Sequence, residues 1–409
     1  MPIRQSNGCS ILLIIDALRP DMLGPYGNTW FDTPAFNRLA CESILFEQCV
    51  ADSPDPEKGL TSLITGQHFC RHIQKEEQHH SLMDAIGDAA ESILVTTDTE
   101  CLPELYDQFD SVVEVKLPQV QRLAADLETT QLATFIASAI QAIDQVQSNT
   151  FLVLYCGSLG QAWDAPMEFR MQLADEDDPA PTDNCVAVNQ QFNVAVDDPD
   201  QLLDSQIGYA SQILMLDQML GILMQQISEN SVTREALFCL TALRGYPLGE
   251  HGVVGFYRQQ LFNDSLHVPL MIRMPGSKSF GRSQRLVQPG SVFELISDWH
   301  GKPQPCVFPD TTLNSLQPDV KHSAVVSGMT DEDSASAYSI QTHGWKLVTG
   351  NSKQLFVRPD DLWEYNDVAN LCPDVVTALE SQLQDSIDQL ALGKKPELDL
   401  AAELAFGIE

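Results

Sequence analysis

Basic residues are scarce in this chain. Its 409 residues include 57 acidic side chains but only 23 basic ones, which gives a formal net charge of −34. No lysine or arginine occurs from position 171 to position 233. Such a charge repels nucleic acid and anionic membrane surfaces, so we expect partners of neither kind. The plainest interpretation is a solubilising surface, and a surface that attracts a basic partner is the alternative.

Long apolar runs and paired cysteines are also missing. The first apolar run, ILLIID, is too short for a signal segment or a membrane span, and no other run approaches the length of a span. The ten cysteines are scattered singly without a Cys-x-x-Cys pair. This excludes the usual zinc-site spacing and favours reduced thiols in the core of a cytosolic protein. We therefore expect a cytoplasmic protein.

Apolar runs of strand length alternate with helical patterns along the first 302 residues. This alternation predicts an α/β fold with a doubly wound, mostly parallel sheet flanked by helices. Ligands of such sheets bind at the carboxyl ends of the strands. The predicted helices are Thr33–Glu42 and Ile207–Ile227, and the predicted strands are Ile11–Ile15, Ser92–Thr97, Phe151–Cys156, Ala236–Ala242 and Val268–Met274.

Two segments interrupt this pattern. The acidic, proline-containing run LADEDDPAPTD begins an insertion at about 173–205, and we interpret it as a solvated loop because it lacks the spacing of a calcium loop. The proline-rich stretch 303–319 is typical of a linker. We expect a first domain over 1–302 and a small C-terminal α+β unit over 320–409, with three short strands and a helix from about Pro373 to Leu390.

Four sequence blocks, in order, resemble the sulfatase family of the alkaline-phosphatase superfamily. They are ILLIIDALRPDMLGPYGN followed by TPAFNRLACESILFEQCVA, then LITGQ, then LGEHGVVGFYRQQLFNDSLHVPLMIRMPG, and finally DLWEYNDVANL. The resemblance implies a divalent cation, usually Ca²⁺, and a formylglycine nucleophile at a helix N-terminus, where backbone N–H groups favour an anion. It further implies four metal ligands: two adjacent acids after the first strand, and Asp with Asn or His after a later strand. A lysine further on would hold the sulfate.

The residues at these positions depart from the family pattern. Asp16 is present after the first strand, but its neighbour is Ala17. An ungapped alignment to the family motif puts Pro56 at the nucleophile, and Leu243 and Arg244 at the second pair of metal ligands. Arg258 stands at the position of the sulfate-binding lysine, and it retains the charge but not the shape of that side chain. His251 of the LGEHG segment is expected to order a loop.

Other side chains near these positions offer weaker alternatives. Acids that could replace the missing metal ligands are Asp52, Asp55 and Glu57. Hydroxyls that could replace the nucleophile are those of Ser53, Thr61 and Ser62. The favoured interpretation is acids in a solvated loop and hydroxyls in a helix interior. The pairs His68–His72 and His79–His80 lack a third ligand.

Two hypotheses follow. The first is a sulfatase-like protein that has lost ester hydrolysis, needs no cofactor, and acts by binding or assembly with a protein or a small anionic ligand. The second is an active sulfate- or phosphate-ester hydrolase with a non-standard site for Ca²⁺ or another divalent cation, built from Asp16, Arg258 and acids of residues 52–57. Between them stands a binding module in which Arg244 and Arg258 hold an anion.

Overall fold

The computed structural model describes residues 8–72, 80–98, 101, 103–185, 191–192, 198–256, 261–276, 280–308, 313, 324–329, 336–396, 401 and 404–405. The strands are β1 (Ser10–Ile15), β2 (Ile44–Cys49), β3 (Glu91–Thr96), β4 (Ser111–Glu114), β5 (Thr150–Cys156), β6 (Gln191–Phe192), β7 (Leu237–Thr241), β8 (Val253–Val254), β9 (Leu270–Arg273), β10 (Gly281–Val287), β11 (Val325–Met329), β12 (Ala337–Gln341), β13 (Trp345–Thr349) and β14 (Gln354–Val357). The helices are α1 (Pro34–Cys41), α2 (Pro56–Thr65), α3 (Phe69–His72), α4 (Leu82–Ile86), α5 (Pro103–Tyr106), α6 (Gln131–Gln145), α7 (Met167–Met171), α8 (Pro199–Glu229), α9 (Asn263–Leu266), α10 (Val292–Trp299) and α11 (Pro373–Ala391).

An eight-stranded sheet with the order β10-β2-β9-β7-β1-β5-β3-β4 forms the centre of the protein. β9 runs antiparallel to both of its neighbours, and the other strand pairs are parallel. Every residue of β1 and β5 is buried, as expected for strands covered by helices on both faces. The predicted doubly wound, mostly parallel sheet is confirmed.

The sheet has more strands than the sequence patterns predicted. β2 and β10 were missed because polar residues interrupt them: β2 contains Glu47 and Gln48, and β10 reads GRSQRLV at the edge of the sheet. β4, at the opposite edge, has exposed or half-buried residues throughout. Edge strands lack the continuous apolar run by which a central parallel strand is recognised.

The helix α8 begins earlier than its apolar stripe predicted. Asp198 caps it by accepting a hydrogen bond from the Gln201 backbone N–H at 3.2 Å, and Pro199 occupies its first position. The end of the insertion expected at about 173–205 therefore overlaps this helix, since residues 199–205 are helical. Acidic and proline residues at a helix start resemble a loop in composition, so the sequence did not reveal this boundary.

By length and composition, α8 is the one helix of the described residues able to cross a membrane, with a window of mean hydropathy 1.3. In the fold, 72% of that window is buried inside the protein. The helix packs against α1, α6 and α7, and its Asp217 accepts hydrogen bonds from the Ala35 and Phe36 N–H groups at the start of α1. Burial of this kind is the environment of a core helix.

The C-terminal unit is a four-stranded antiparallel sheet with the order β11-β12-β13-β14, packed against α11. It contacts the larger unit through β11, since the Gly328 N–H donates to the Asp52 carbonyl and the Ser327 hydroxyl donates to the Ala51 carbonyl. This contact lies beside the segment that leads into α2. The predicted sheet-plus-helix unit is confirmed, and it contains β11 in addition to the three predicted strands.

Candidate functional site

Asp16 follows β1 at the carboxyl edge of the sheet and is 4% exposed. Its neighbour Ala17 has a φ of +62°, a left-handed conformation that costs a residue with a Cβ about 1 kcal/mol. The Tyr209 hydroxyl on α8 donates to the Ala17 carbonyl at 2.7 Å and accepts from the Arg19 N–H at 3.0 Å. The turn after β1 is therefore held in a strained shape, although position 17 carries only a methyl group.

The carboxylate of Asp16 is bound by Arg244, which follows β7. Arg244 Nη2 lies 2.9 Å from Asp16 Oδ2, and its Nε lies 3.2 Å and 3.3 Å from the two carboxylate oxygens. The guanidinium carbon lies 3.2 Å from the centre of the Phe256 ring, so the cation is both paired and stacked. Both oxygens of Asp16 thus face one protein cation.

Two further elements close around this pair. A Cβ added to Gly160, in the loop after β5, would lie 3.2 Å from Asp16 Oδ2 and 3.6 Å from Arg244 Nη2. A Cβ added to Gly59, in the first turn of α2, would lie 3.4 Å from the Leu243 carbonyl oxygen. The loops after β1, β5 and β7 therefore meet at the ion pair, and the start of α2 lies against the loop that carries it.

Pro56, at the nucleophile position, is the first residue of α2. The Asp55 side chain caps the helix by accepting a hydrogen bond from the Glu57 N–H at 3.0 Å. The helix ends at Gly66, which has a φ of +63° and provides the left-handed C-cap. A proline suits the first helical position because no N–H is needed there, but its ring carries no group that attacks an ester.

The side chains considered as substitute metal ligands or nucleophiles make local hydrogen bonds instead. Asp52 is buried and accepts from the Ser62 hydroxyl at 2.6 Å and the Phe69 N–H at 2.9 Å. The Thr61 hydroxyl donates to the Glu57 carbonyl one turn back at 2.7 Å. The Ser53 hydroxyl accepts from the Asp55 N–H at 3.3 Å. These hydroxyls and acids are occupied by capping and helix contacts.

The donor set does not fit a divalent cation. Calcium requires six to eight oxygen ligands, and here Asp16 is the one acid at the four ligand positions, with Ala17, Leu243 and Arg244 at the other three. The guanidinium of Arg244 would repel a metal ion from the Asp16 oxygens. Among the residues that the structure describes, no group of three His, Cys, Asp or Glu side chains is arranged to hold a metal.

The framework residues of the resembling blocks contact one another. Arg19 is buried and pairs with Glu250 of the LGEHG segment at 2.6 Å and with Asp21 at 2.5 Å. Glu364 of the last block pairs with Lys346 at 2.8 Å and accepts from the Asn263 N–H at 3.0 Å. The first, third and fourth blocks are thereby joined by buried charged contacts.

His251 stacks on Phe262, with ring centroids 3.7 Å apart. Burial lowers its pKa, and the nearby Glu364 carboxylate acts in the opposite direction. A second ring contact, with Tyr365 at 5.4 Å between centroids, packs His251 against the C-terminal unit. Arg258 lies outside the described residues.

Of the two histidine pairs, the structure describes the side chains of His68 and His80. His68 is fully buried, and its Nε2 lies 2.9 Å from the Val326 carbonyl oxygen; burial lowers its pKa to about 4. His80 is exposed, whereas the His72 side chain and His79 lie outside the described residues.

Three residues of the site were not identified from the sequence: Phe256, Tyr209 and Cys101. Burial, with the carboxylates of Asp98, Asp16 and Glu57, raises the pKa of the Cys101 thiol to about 12, so this buried cysteine is a neutral thiol within the electrostatic reach of Asp16. Phe256 lies in the quoted third block, two positions before Arg258, and that proximity was the one available signal. Tyr209 belongs to a helix stripe and has no local signature.

The comparisons with known proteins agree with this architecture. The family model described as Sulfatase matches residues 10–302. Arylsulfatase K of Danio rerio is 25% identical over 199 residues, which are 46% of this chain and 38% of the relative; the Canis lupus familiaris protein is 23% identical over 44% of this chain and 36% of its own length. The chain thus matches well under two thirds of these relatives.

Solved structures share the fold at low sequence identity. A phosphonate monoester hydrolase of Agrobacterium radiobacter has a TM-score of 0.74 and 16% identity, with 93% of this chain and 96% of that one covered. A protein solved in complex with its substrate D-glucosamine-2-N,6-O-disulfate has a TM-score of 0.74 and 14% identity, with 96% and 100% covered. These similarities concern the fold alone. On the match over residues 10–302, the chain belongs to the sulfatase family.

Proposed function

We propose that this protein does not hydrolyse sulfate or phosphate esters and acts instead by binding or assembly on a sulfatase fold. The observation that supports the proposal is the Asp16–Arg244 ion pair at 2.9 Å. In the family pattern, the cation that Asp16 faces is a metal ion able to activate a nucleophile and neutralise ester oxygens. A guanidinium supplies charge but has no open coordination position.

The nucleophile position adds independent support. An ester hydrolase of this family pattern needs a side chain that attacks sulfur or phosphorus at the start of α2. Pro56 has no such group, and the hydroxyls of Ser53, Thr61 and Ser62 are engaged with neighbouring backbone or carboxylate groups. Loss of the nucleophile and loss of the metal ligands therefore coincide at one site.

The test is turnover by the full chain with an aryl sulfate, an aryl phosphate and an aryl phosphonate, each with Ca²⁺, Mg²⁺ or Mn²⁺. We expect no hydrolysis above the rate without protein. A thermal melt with each metal should show no rise of the midpoint, because a metal that bound the folded state would raise it by mass action. Turnover that disappears in the Asp16→Ala variant would overturn the proposal and establish the active hydrolase.

An anion clamp formed by Arg244 and Arg258 is the remaining candidate for binding. Arg244 already directs Nε and Nη2 at Asp16 and stacks on Phe256, which leaves less of its guanidinium for a ligand. A clamp of this kind would bind free sulfate in competition with its ligand, and the Arg244→Met variant would lose that binding.

A further inference from the structure

A cavity lined by two arginines lies at the edge of the sheet opposite Asp16. β9 runs against the other strands, so its last residue, Arg273, pairs with Phe238 at the beginning of β7. A cavity of about 230 Å³ opens there between α1, α8 and the end of β9. Its polar lining consists of Arg38, Glu42, Gln225, Ser228 and Arg273.

Arg273 lacks the acceptors that a buried guanidinium needs. Its side chain is 11% exposed, and Nε and Nη2 are buried without a hydrogen-bond acceptor among the described residues. Its Nη1 lies 3.8 Å from a Glu42 carboxylate oxygen, beyond hydrogen-bond distance, and the Glu42 side chain is 54% exposed. A buried charged group with few hydrogen bonds is costly. Nε and Nη2 are closed to solvent, so Nη1 is the donor that an acceptor from outside the chain would reach.

Arg38 adds a second cation to the same cavity. It lies on α1, one helical turn before Glu42, and its side chain is exposed. Two guanidinium groups and one carboxylate line the cavity, in a chain with 57 acidic and 23 basic residues. Glu235, outside the lining, is a second carboxylate that acts on Arg273. Fork-shaped guanidinium donors match the oxygens of sulfate, phosphate and carboxylate groups.

We propose that this cavity binds a tetrahedral oxyanion, sulfate or phosphate, with Arg273 as the buried donor and Arg38 as the second cation at the entrance. The burial of Arg273 also lowers its pKa, an effect that a bound anion would reverse. The site is remote from Asp16 in the sheet and does not depend on whether the family chemistry is retained.

The test is calorimetric titration of the full chain with sodium sulfate and with sodium phosphate in the low-millimolar range, at constant ionic strength. We expect saturable binding of one or both anions to the parent protein. The Arg273→Met variant should weaken that binding roughly tenfold or more, because it removes charged hydrogen bonds. Arg122→Gln, a change at an exposed arginine elsewhere, is the matched control and should bind like the parent.

Two further titrations test the choice of anion and the role of Arg273. Sodium acetate at the same ionic strength should bind more weakly than sulfate; stronger binding of acetate would overturn the choice of a tetrahedral oxyanion. Glu42→Gln removes the carboxylate that competes with the anion for Arg273, so it should tighten sulfate binding. If Arg273→Met does not fold, Glu42→Gln takes its place in the test. Equal heats for the parent and Arg273→Met, no binding in the parent, or an unchanged Glu42→Gln variant would each overturn the proposal.

Discussion

Removing Arg244 should destabilise the protein far more than removing a surface cation. Asp16 and Arg244 side chains are 6% and 15% exposed and their atoms are 2.9 Å apart. With charge centres about 4 Å apart and an effective dielectric constant of about 20, their attraction is about 4 kcal/mol. Loss of one partner of a buried pair leaves the other uncompensated and typically costs about 3–5 kcal/mol. We therefore expect Arg244→Met to lower the free energy of unfolding by about 3 kcal/mol or more.

A double-mutant cycle isolates the pair. Arg244→Met, Asp16→Asn and the double variant are unfolded with urea and followed by circular dichroism, and we expect a coupling energy of about 2 kcal/mol, because the double variant leaves no unpaired charge. Lys353→Met is the control: Lys353 and Glu380 are 2.7 Å apart but about half exposed, so the loss should be under about 1 kcal/mol. Additive single effects, with a coupling below about 0.5 kcal/mol, would refute the pairing of Asp16 with Arg244.

Three other predictions concern the buried charges and thiols. Glu250→Gln should cost about 1–3 kcal/mol in urea unfolding, because the buried Arg19 loses a charged acceptor at 2.6 Å; an unchanged stability would contradict this contact. A thiol reagent should modify the exposed Cys41 rapidly in the native protein and the eight buried cysteines only after unfolding, and prompt labelling of several thiols would contradict the packing. The free energy of unfolding should fall between pH 6.5 and about 4, because in that range the unfolded state takes up protons on His68, His267 and His300, whose folded pKa burial lowers to about 4. Burial raises the pKa of Asp264 to about 7 and also raises that of Asp217, and these two groups act in the opposite direction but are outnumbered by the three histidines. Stability that rose on acidification would contradict the burial of the histidines.

The central parallel strands could be predicted from the sequence because their burial is continuous. β1 and β5 are uninterrupted apolar runs, and their predicted limits differ from the structure by a residue. β10 could not be recognised, since this edge strand reads GRSQRLV and four of its seven residues are polar, two of them exposed and two buried. The antiparallel direction of β9 was equally inaccessible, because strand direction depends on the chain's path between strands and leaves no mark on the residues themselves.

For the site, the sequence offered candidate positions but not their contacts. The resemblance to the family motif assigned Asp16, Pro56, Leu243 and Arg244 to the family's functional positions. The Arg244 guanidinium faces Asp16 rather than solvent because Phe256 and Gly160 form the walls of the space around it: Phe256 stacks on the guanidinium, and Gly160 lies close beside the pair. These walls come from two separate loops, so only the folded chain brings them to the pair.

The Asp16–Arg244 pair explains how a framework with buried acids tolerates the absence of the family's ligand set. A carboxylate 4% exposed needs a cation, and without a metal it would be left uncompensated or have to be replaced. Arg244 supplies that cation from within the chain. The turn at Ala17 therefore keeps its shape and its hydrogen bond with Tyr209. The Arg19–Glu250 and Lys346–Glu364 pairs join the blocks through contacts that do not involve Asp16 or Arg244. Charge balance at Asp16 and packing between the surrounding loops are therefore separate properties of this chain.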